Sequence, residues 1–276
     1  MKLITLNIHS IVEKDYEKKL DKFVETICKL KPEIFVLQEC NQTRDAKKVP
    51  IDKLFGCVGT DMPIKENNNA YIISKLLRNK GLEYNWYWNS AKKGYDILDE
   101  GLAVFSLKPV ESFEYFYLSD VKDYNNWKTR IAVGCTINYN GNKKSFYSVH
   151  FGWWNDKEEN IKGQWQNLQK HFENRNDEHI YIMGDFNSPS HIKNEGYDFV
   201  CSTGWYDTYE MAKIKDDGIT VPDVIDGWRD KVVEKNGMRI DYIFSNKPIN
   251  IKSHNIIFNG KNEDIISDHF GIIVEE

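Results

Sequence analysis

The sequence predicts an α/β fold, two packed β-sheets flanked by helices, carried by one domain over residues 1–276. Three observations predict it. Short apolar runs of strand character occur in both halves of the chain, with only a few helical patterns between them. No repeat, low-complexity tract or linker divides the chain. The 276 residues, 41% hydrophobic and 29% charged, can bury a large core without staples.

The elements follow in order. KLITLNI, residues 2–8, is an apolar strand. Residues 14–31 carry Tyr16, Leu20, Phe23, Val24, Ile27 and Leu30 at helical spacing, and Pro32 ends that helix. Ile34 to Leu37 is a second buried strand that stops at Gln38-Glu39. Residues 41–68, rich in Asn, Lys and Asp, read as a long loop. A helix over about 69–80 ends at Gly81, a natural cap. Strands are expected over 84–89, 101–107, 112–118, 129–138 and 144–150, with Asn140-Gly141 as a hairpin turn between the last two. Residues 157–174 form an amphipathic helix that places Trp165 in the core. A strand follows at 179–183, then mixed helix and loop over 190–235, then strands near 239–244, 251–258 and 270–275.

Charge and cysteine usage narrow the function classes. The formal net charge of −5 argues against a broad basic surface for nucleic acid. It leaves a nuclease open, because a bound metal offsets local acidity. Cys28, Cys40, Cys57, Cys135 and Cys201 are odd in number and widely spread, and read as free thiols in a reducing compartment. The amino terminus reaches polar Asn7 and His9 too soon for a signal peptide. No apolar run approaches the ~20 residues needed to cross a bilayer. These features point to a cytoplasmic protein with no membrane partner.

Ionisable and amide residues gather where apolar strands stop. The stretch HIYIMGDFNSPS ends a hydrophobic strand on Asp185 and Asn187, two residues apart. Turn chemistry explains such a pair as readily as a site does. The same pattern recurs, however. The first strand ends at Asn7 and His9, the second at Glu39, and the strand before position 150 at His150. Glu100 precedes a strand, Asp241 begins one, and Asp268-His269 precedes the last. Strand ends are where sheet proteins place sites. Carboxylates clustered together repel unless a cation sits among them, and an oxygen-rich set suits Mg²⁺ or Mn²⁺ better than Zn²⁺.

The ordered set LNIH, LQE, EGLAVFS, TR, VH, GDFN, DYIF and SDH, spanning residues 4 to 270, resembles the endonuclease/exonuclease/phosphatase superfamily. The resemblance implies a four-layer α/β sandwich and hydrolysis of phosphoesters with a divalent metal, Mg²⁺ or alternatively Mn²⁺. It implies Glu39, Asn7 and Asp268 on the metal side, and Asp185 and Asn187 positioning the attacking water and a phosphoryl oxygen. It implies that His269 contacts phosphate and is oriented by Asp241, that His150 is a second histidine with Glu100 as partner, and that Arg130 binds phosphate. Apurinic endonucleases carry other residues at the position of His150. That favours the deoxyribonuclease, sphingomyelinase and phosphatase side of the superfamily.

Substrate signals are aromatic. Trp153 and Trp154 follow His150 closely, Trp127 precedes Arg130, and Tyr95 lies near Glu100. Such rings can stack on a sugar or a base. Trp153, Trp154 and Tyr95, with His9 and Arg130, are the expected substrate contacts. The contexts of Trp127, GWW and GYD…DEGLA resemble a Gram-positive branch that includes the maltose 6'-phosphate phosphatases. That resemblance implies a small phosphorylated sugar as substrate and no stable nucleic-acid partner. The competing readings are a phosphodiesterase acting on DNA, RNA or a phospholipid headgroup, and a binding module that has lost catalysis.

Overall fold

The computed structural model describes residues 1–59, 62–175, 178–223, 225, 228 and 237–276. β1 (Lys2–Asn7) is buried from Leu3 onward, as a strand covered on both faces must be. A single 3-10 turn leads into α1 (Tyr16–Leu30), which crosses over to β2 (Ile34–Gln38), parallel to β1. The expected loop at 41–68 holds one short strand, β3 (Gln42–Thr43). α2 (Asn69–Asn79) starts where the Asn68 side chain accepts from Tyr71 N at 2.9 Å.

β4 (Asn85–Gly94) and β5 (Leu98–Ser106) form a hairpin. β4 runs five residues past the expected stop at 89, because SAKKG lacks apolar alternation yet keeps its ladder to β5. Glu100 consequently lies inside a strand rather than ahead of one. β6 (Val110–Tyr117), β7 (Ile131–Tyr139) and β8 (Asn142–His150) form a meander. Asn140 and Gly141, with φ of 54° and 82°, turn the chain between β7 and β8 as the sequence predicts.

α3 (Ile161–Phe172) is shorter than expected at both ends, starting where Asn160 caps Gly163 N at 3.0 Å. β9 (His179–Asp185) follows. Then come α4 (Gly196–Ser202), β10 (Tyr206–Asp207), α5 (Thr208–Met211) and β11 (Ala212–Lys215). The two short strands lie within the stretch 190–235 expected as helix and loop; residues 224, 226–227 and 229–235 of that stretch lie outside the described residues. β12 (Asp241–Ser245), β13 (Ile251–Ile257) and β14 (Gly271–Glu275) close the chain.

The described strands make an 8-stranded sheet of path β11-β13-β14-β1-β2-β5-β3, with β4 paired to β5, and a 6-stranded sheet of order β10-β12-β9-β8-β7-β6. The sheets pack face to face through Leu3, Val36 and Val104 on one side and Val133, Phe146 and Met183 on the other. α1 and α2 cover the outer face of the first sheet with Phe23, Val24 and Ile73. α3 and α4 cover the outer face of the second with Trp165, Leu168 and Val200. This is the four-layer α/β sandwich. Trp165 is fully buried, as its helical position predicts. All five cysteines are free thiols.

Two details set the site. Gln38 Nε2 donates to Ser148 Oγ at 2.9 Å, and Ser148 Oγ donates to Leu37 O at 3.0 Å, tying the sheets together near the ends of β2 and β8. Gly184 has φ of 145°, and a Cβ there would lie 2.0 Å from Val149 O. Only glycine lets β9 approach β8 this closely.

Candidate active site

The residues flagged at strand ends come from both sheets and meet at one end of the sandwich. Asn7 ends β1 and Glu39 follows β2. Across the other sheet, His150 on β8 pairs in register with Asp185 on β9, and Asp185 with Asp241 on β12. One sheet edge thus presents His150, Asp185 and Asp241 in a row. His269 reaches in from just before β14.

The side chains form one network. Asn7 Nδ2 donates to Glu39 Oε1 at 2.9 Å and to Asp185 Oδ2 at 3.3 Å. Asp185 Oδ1 accepts from Asn187 N at 2.8 Å. Asn187 Nδ2 lies 3.2 Å from His150 Nε2 and donates to Phe151 O at 3.0 Å. His150 Nε2 stands 3.5 Å from Asp185 Oδ2. His269 Nδ1 is 2.9 Å from Asp241 Oδ2. His9, Glu39 and Asn187 all sit at positive φ, between 46° and 50°, a conformation uncommon for residues other than glycine.

These groups floor a cavity of about 300 Å³, lined by Glu39, Arg130, His150, Asp185, Asn187 and His269. Lys93, Tyr95, Trp127, Trp153 and Ile225 rim it. Asn7 and Asp241 are buried beneath and hold the lining groups. His9 and Asp268 line one wall. His9 Nδ1 is 2.8 Å from Glu13 Oε1 and 3.7 Å from Asp268 Oδ1.

Two expected relationships are corrected. Glu100 lines the cavity, but its close partner is Lys92, with Nζ 3.0 Å from Oε1; His150 faces Asp185 and Asn187 instead. The reason is register, since Lys92 lies opposite Glu100 on the paired strand. Trp154 turns out of the cavity and packs on Phe199, ring centroids 5.8 Å apart, in the helical layer. Trp153 stays at the rim, 5.9 Å from Trp127.

Several residues escape sequence reasoning. Trp228 Nε1 donates to Asn187 Oδ1 at 3.1 Å, turning the Asn187 amide nitrogen toward His150. Thr220 Oγ1 accepts from Asp241 N at 3.3 Å. Lys92 lies past the expected end of its strand. None of these carries a local signal, because each acts through the fold.

Electrostatics separate the two histidines. Burial works against charge on His269, but the Asp241 and Asp185 carboxylates outweigh it and raise its pKa well above the ordinary value. Burial, Arg130 and Lys92 all push His150 well below the ordinary value, so it is held neutral. Burial also pushes Glu39 up, and Glu100 adds to it. Burial and Asp241 raise Asp185 likewise.

The donor set fits a hard divalent cation. Buried carboxylates raised by burial and by one another are the arrangement that a cation relieves. Among the described residues, ligand atoms of Asp185, Asp241 and His269 lie within 4.8 Å of one another, and Asp241 Oδ1 is buried without a hydrogen-bond partner. Glu39 and Asp268 also line the cavity, Asp268 adds to the rise of Glu39, and no cysteine is in the lining, so oxygen donors dominate.

The chain matches the sequence pattern of the endonuclease/exonuclease/phosphatase family over residues 4–269. It is 33% identical to a solved endonuclease/exonuclease/phosphatase family protein from Leptotrichia buccalis C-1013-b, with a TM-score of 0.88, covering 100% of this chain and 98% of that one. A mannosyl-6-phosphatase from Bacteroides thetaiotaomicron VPI-5482 shares the fold at 17% identity and a TM-score of 0.71, covering 100% and 98%. So does D. rerio TDP2, solved with a single-strand DNA product, at 14% identity and a TM-score of 0.62, covering 99% and 97%. No curated protein matches the sequence. Among the described residues, no helix is long and apolar enough to cross a membrane.

Proposed function

From the premise that this chain belongs to the endonuclease/exonuclease/phosphatase family, whose members are hydrolases acting on phosphoesters, we propose that it is a metal-dependent phosphomonoesterase. Its substrate is an intracellular phosphorylated sugar resembling maltose 6'-phosphate, and it works in the cytoplasm. The observation that carries this reading is the cavity. Its floor is the carboxylate, amide and histidine set, and its rim is aromatic. At about 300 Å³ it suits a small molecule better than a duplex. That the fold also serves a mannosyl-6-phosphatase is compatible with a sugar phosphate.

Glu39, Asn7 and Asp268 would hold the cation, Mg²⁺ or alternatively Mn²⁺, which would supply positive charge at a phosphoryl oxygen. The chain's own residues do the rest. Asp185 and Asn187 orient the attacking water. Arg130 and the imidazolium of His269 bind the phosphoryl oxygens, and Asp241 fixes that imidazole. His150, neutral and beside Asn187, can exchange a proton with the water. Hydrolysis breaks the P–O bond to the sugar, leaves the water oxygen on phosphate and returns a proton to the sugar oxygen. Positioning and charge stabilisation supply most of the rate.

The test is a panel of phosphorylated sugars, nucleotides and plasmid DNA, with phosphate release and nicking both measured in Mg²⁺. Phosphate release from a disaccharide or hexose phosphate, with no nicking, is the expected result. Nicking that outpaces phosphate release would make the protein a phosphodiesterase.

A further inference from the structure

β4 and β5 lose register at one place. Ser90 pairs with Gly101 and Lys92 with Glu100, so Ala91 is an extra residue in β4. A bulge of this kind re-aims the side chain that follows it. Ala91 packs into the core between the sheets, and Lys92 enters the cavity, 5% exposed. Among the described residues, its ion pair is with Glu100, Nζ to Oε1 at 3.0 Å.

Removing an ammonium from water is costly unless its charge is used. Glu100 offsets one charge, yet a second buried cation faces the same cavity. Arg130 is 4% exposed. Its Nε has no hydrogen-bond partner among the described residues, and its guanidinium donates one hydrogen bond there, from Nη1 to Trp127 O at 3.4 Å. Among the described residues, no carboxylate forms an ion pair with it. Two buried cations, Lys92 and Arg130, thus face the cavity beside its carboxylates, and the Arg130 Nε–H is an unused donor there, suited to a phosphoryl oxygen.

We propose that Lys92 and Arg130 jointly seat the phosphoryl group, and that Lys92 makes the site prefer phosphomonoesters over diesters. The inference rests on the phosphoester-hydrolase reading above. A monoester carries close to two negative charges at neutral pH, a diester one. A single guanidinium matches the diester; a second ammonium matches the extra charge of the monoester. Without substrate, Glu100 holds Lys92 in place as its counterion.

The experiment compares wild type, Lys92→Met, Lys92→Gln and Lys92→Arg on p-nitrophenyl phosphate and bis(p-nitrophenyl) phosphate in Mg²⁺. Inhibition by inorganic phosphate and the Tm are read alongside. In Lys92→Met, kcat/KM for the monoester falls about 10- to 100-fold, as for loss of a charge-assisted contact, and phosphate inhibition weakens in parallel. The diester loses far less. Lys92→Gln behaves the same way if Lys92→Met folds poorly, and Lys92→Arg keeps the monoester preference. Should neither neutral variant fold, Lys92→Arg decides, and loss of the preference there overturns the proposal. Equal losses on both substrates with unchanged phosphate inhibition also overturn it, leaving Lys92 as a counterion for Glu100 alone. A wild-type enzyme that prefers the diester would instead overturn the phosphomonoesterase reading itself.

Discussion

Asp241 Oδ2 and His269 Nδ1 lie 2.9 Å apart, with both residues at most 3% exposed, though 28 positions separate them in the chain. The pair fixes the ring so that His269 Nε2 faces Asp185 Oδ2 at 3.9 Å. Asp241→Asn and His269→Ala are therefore expected to lower kcat about 100-fold each, and the double variant little more than either single one. Steady-state kinetics of the three variants check this; a double loss equal to the product of the single losses would refute the coupling.

Glu39→Gln should remove nearly all activity, about 100-fold or more, if, as proposed, its carboxylate helps hold the metal at the point of charge development. The fold should survive. Burial and Glu100 raise the Glu39 pKa, so its ionised form costs stability as pH rises above the ordinary value of 4.5. The metal-free Tm at neutral pH should then be no lower than that of wild type. Activity within a few-fold of wild type at saturating Mg²⁺ would sink the assignment.

The two adjacent tryptophans should part company. Trp153→Ala should raise KM for a sugar phosphate about ten-fold or more and leave p-nitrophenyl phosphate nearly untouched, since the lost contact is remote from the reacting phosphate. Trp154→Ala removes packing on Phe199, so it should lower Tm while the kinetics stay close to wild type. The reverse pattern would move the substrate contact to Trp154.

Acid stability should depend on a group away from the cavity. Burial works against the charged form of Glu114 on β6, but hydrogen bonds from His171, Arg175 and Tyr147 outweigh it and hold the carboxyl at about 2. Arg175 Nη1 is 2.6 Å from Glu114 Oε1. A carboxyl lowered by folding stabilises the protein above its ordinary 4.5 and loses that contribution as pH falls toward about 2. Glu114→Gln should lower Tm by a few degrees, roughly 2–8 °C, at pH 7, with the gap closing at low pH. Activity at neutral pH should not change. A gap that stays constant down to pH 3 would contradict the electrostatic account.

The sequence by itself determined the apolar runs of the core and the approximate ends of β1, β2 and β8, since apolar period is a local property. That was enough to flag Asn7, Glu39, His150, Asp185, Asp241 and His269. Read with the family pattern, it was also enough to expect the four layers. Only the tertiary structure decided which of those ends meet and how. His150, Asp185 and Asp241 align because β8, β9 and β12 pair in one register, and Glu39 joins them because the second sheet packs across. A one-residue bulge at Ala91 gave Glu100 to Lys92 rather than to His150. Trp228, 41 positions away from Asn187, set the orientation of its amide. Register, bulges and side-chain direction arise from pairings between distant segments, and no window of neighbouring residues encodes them.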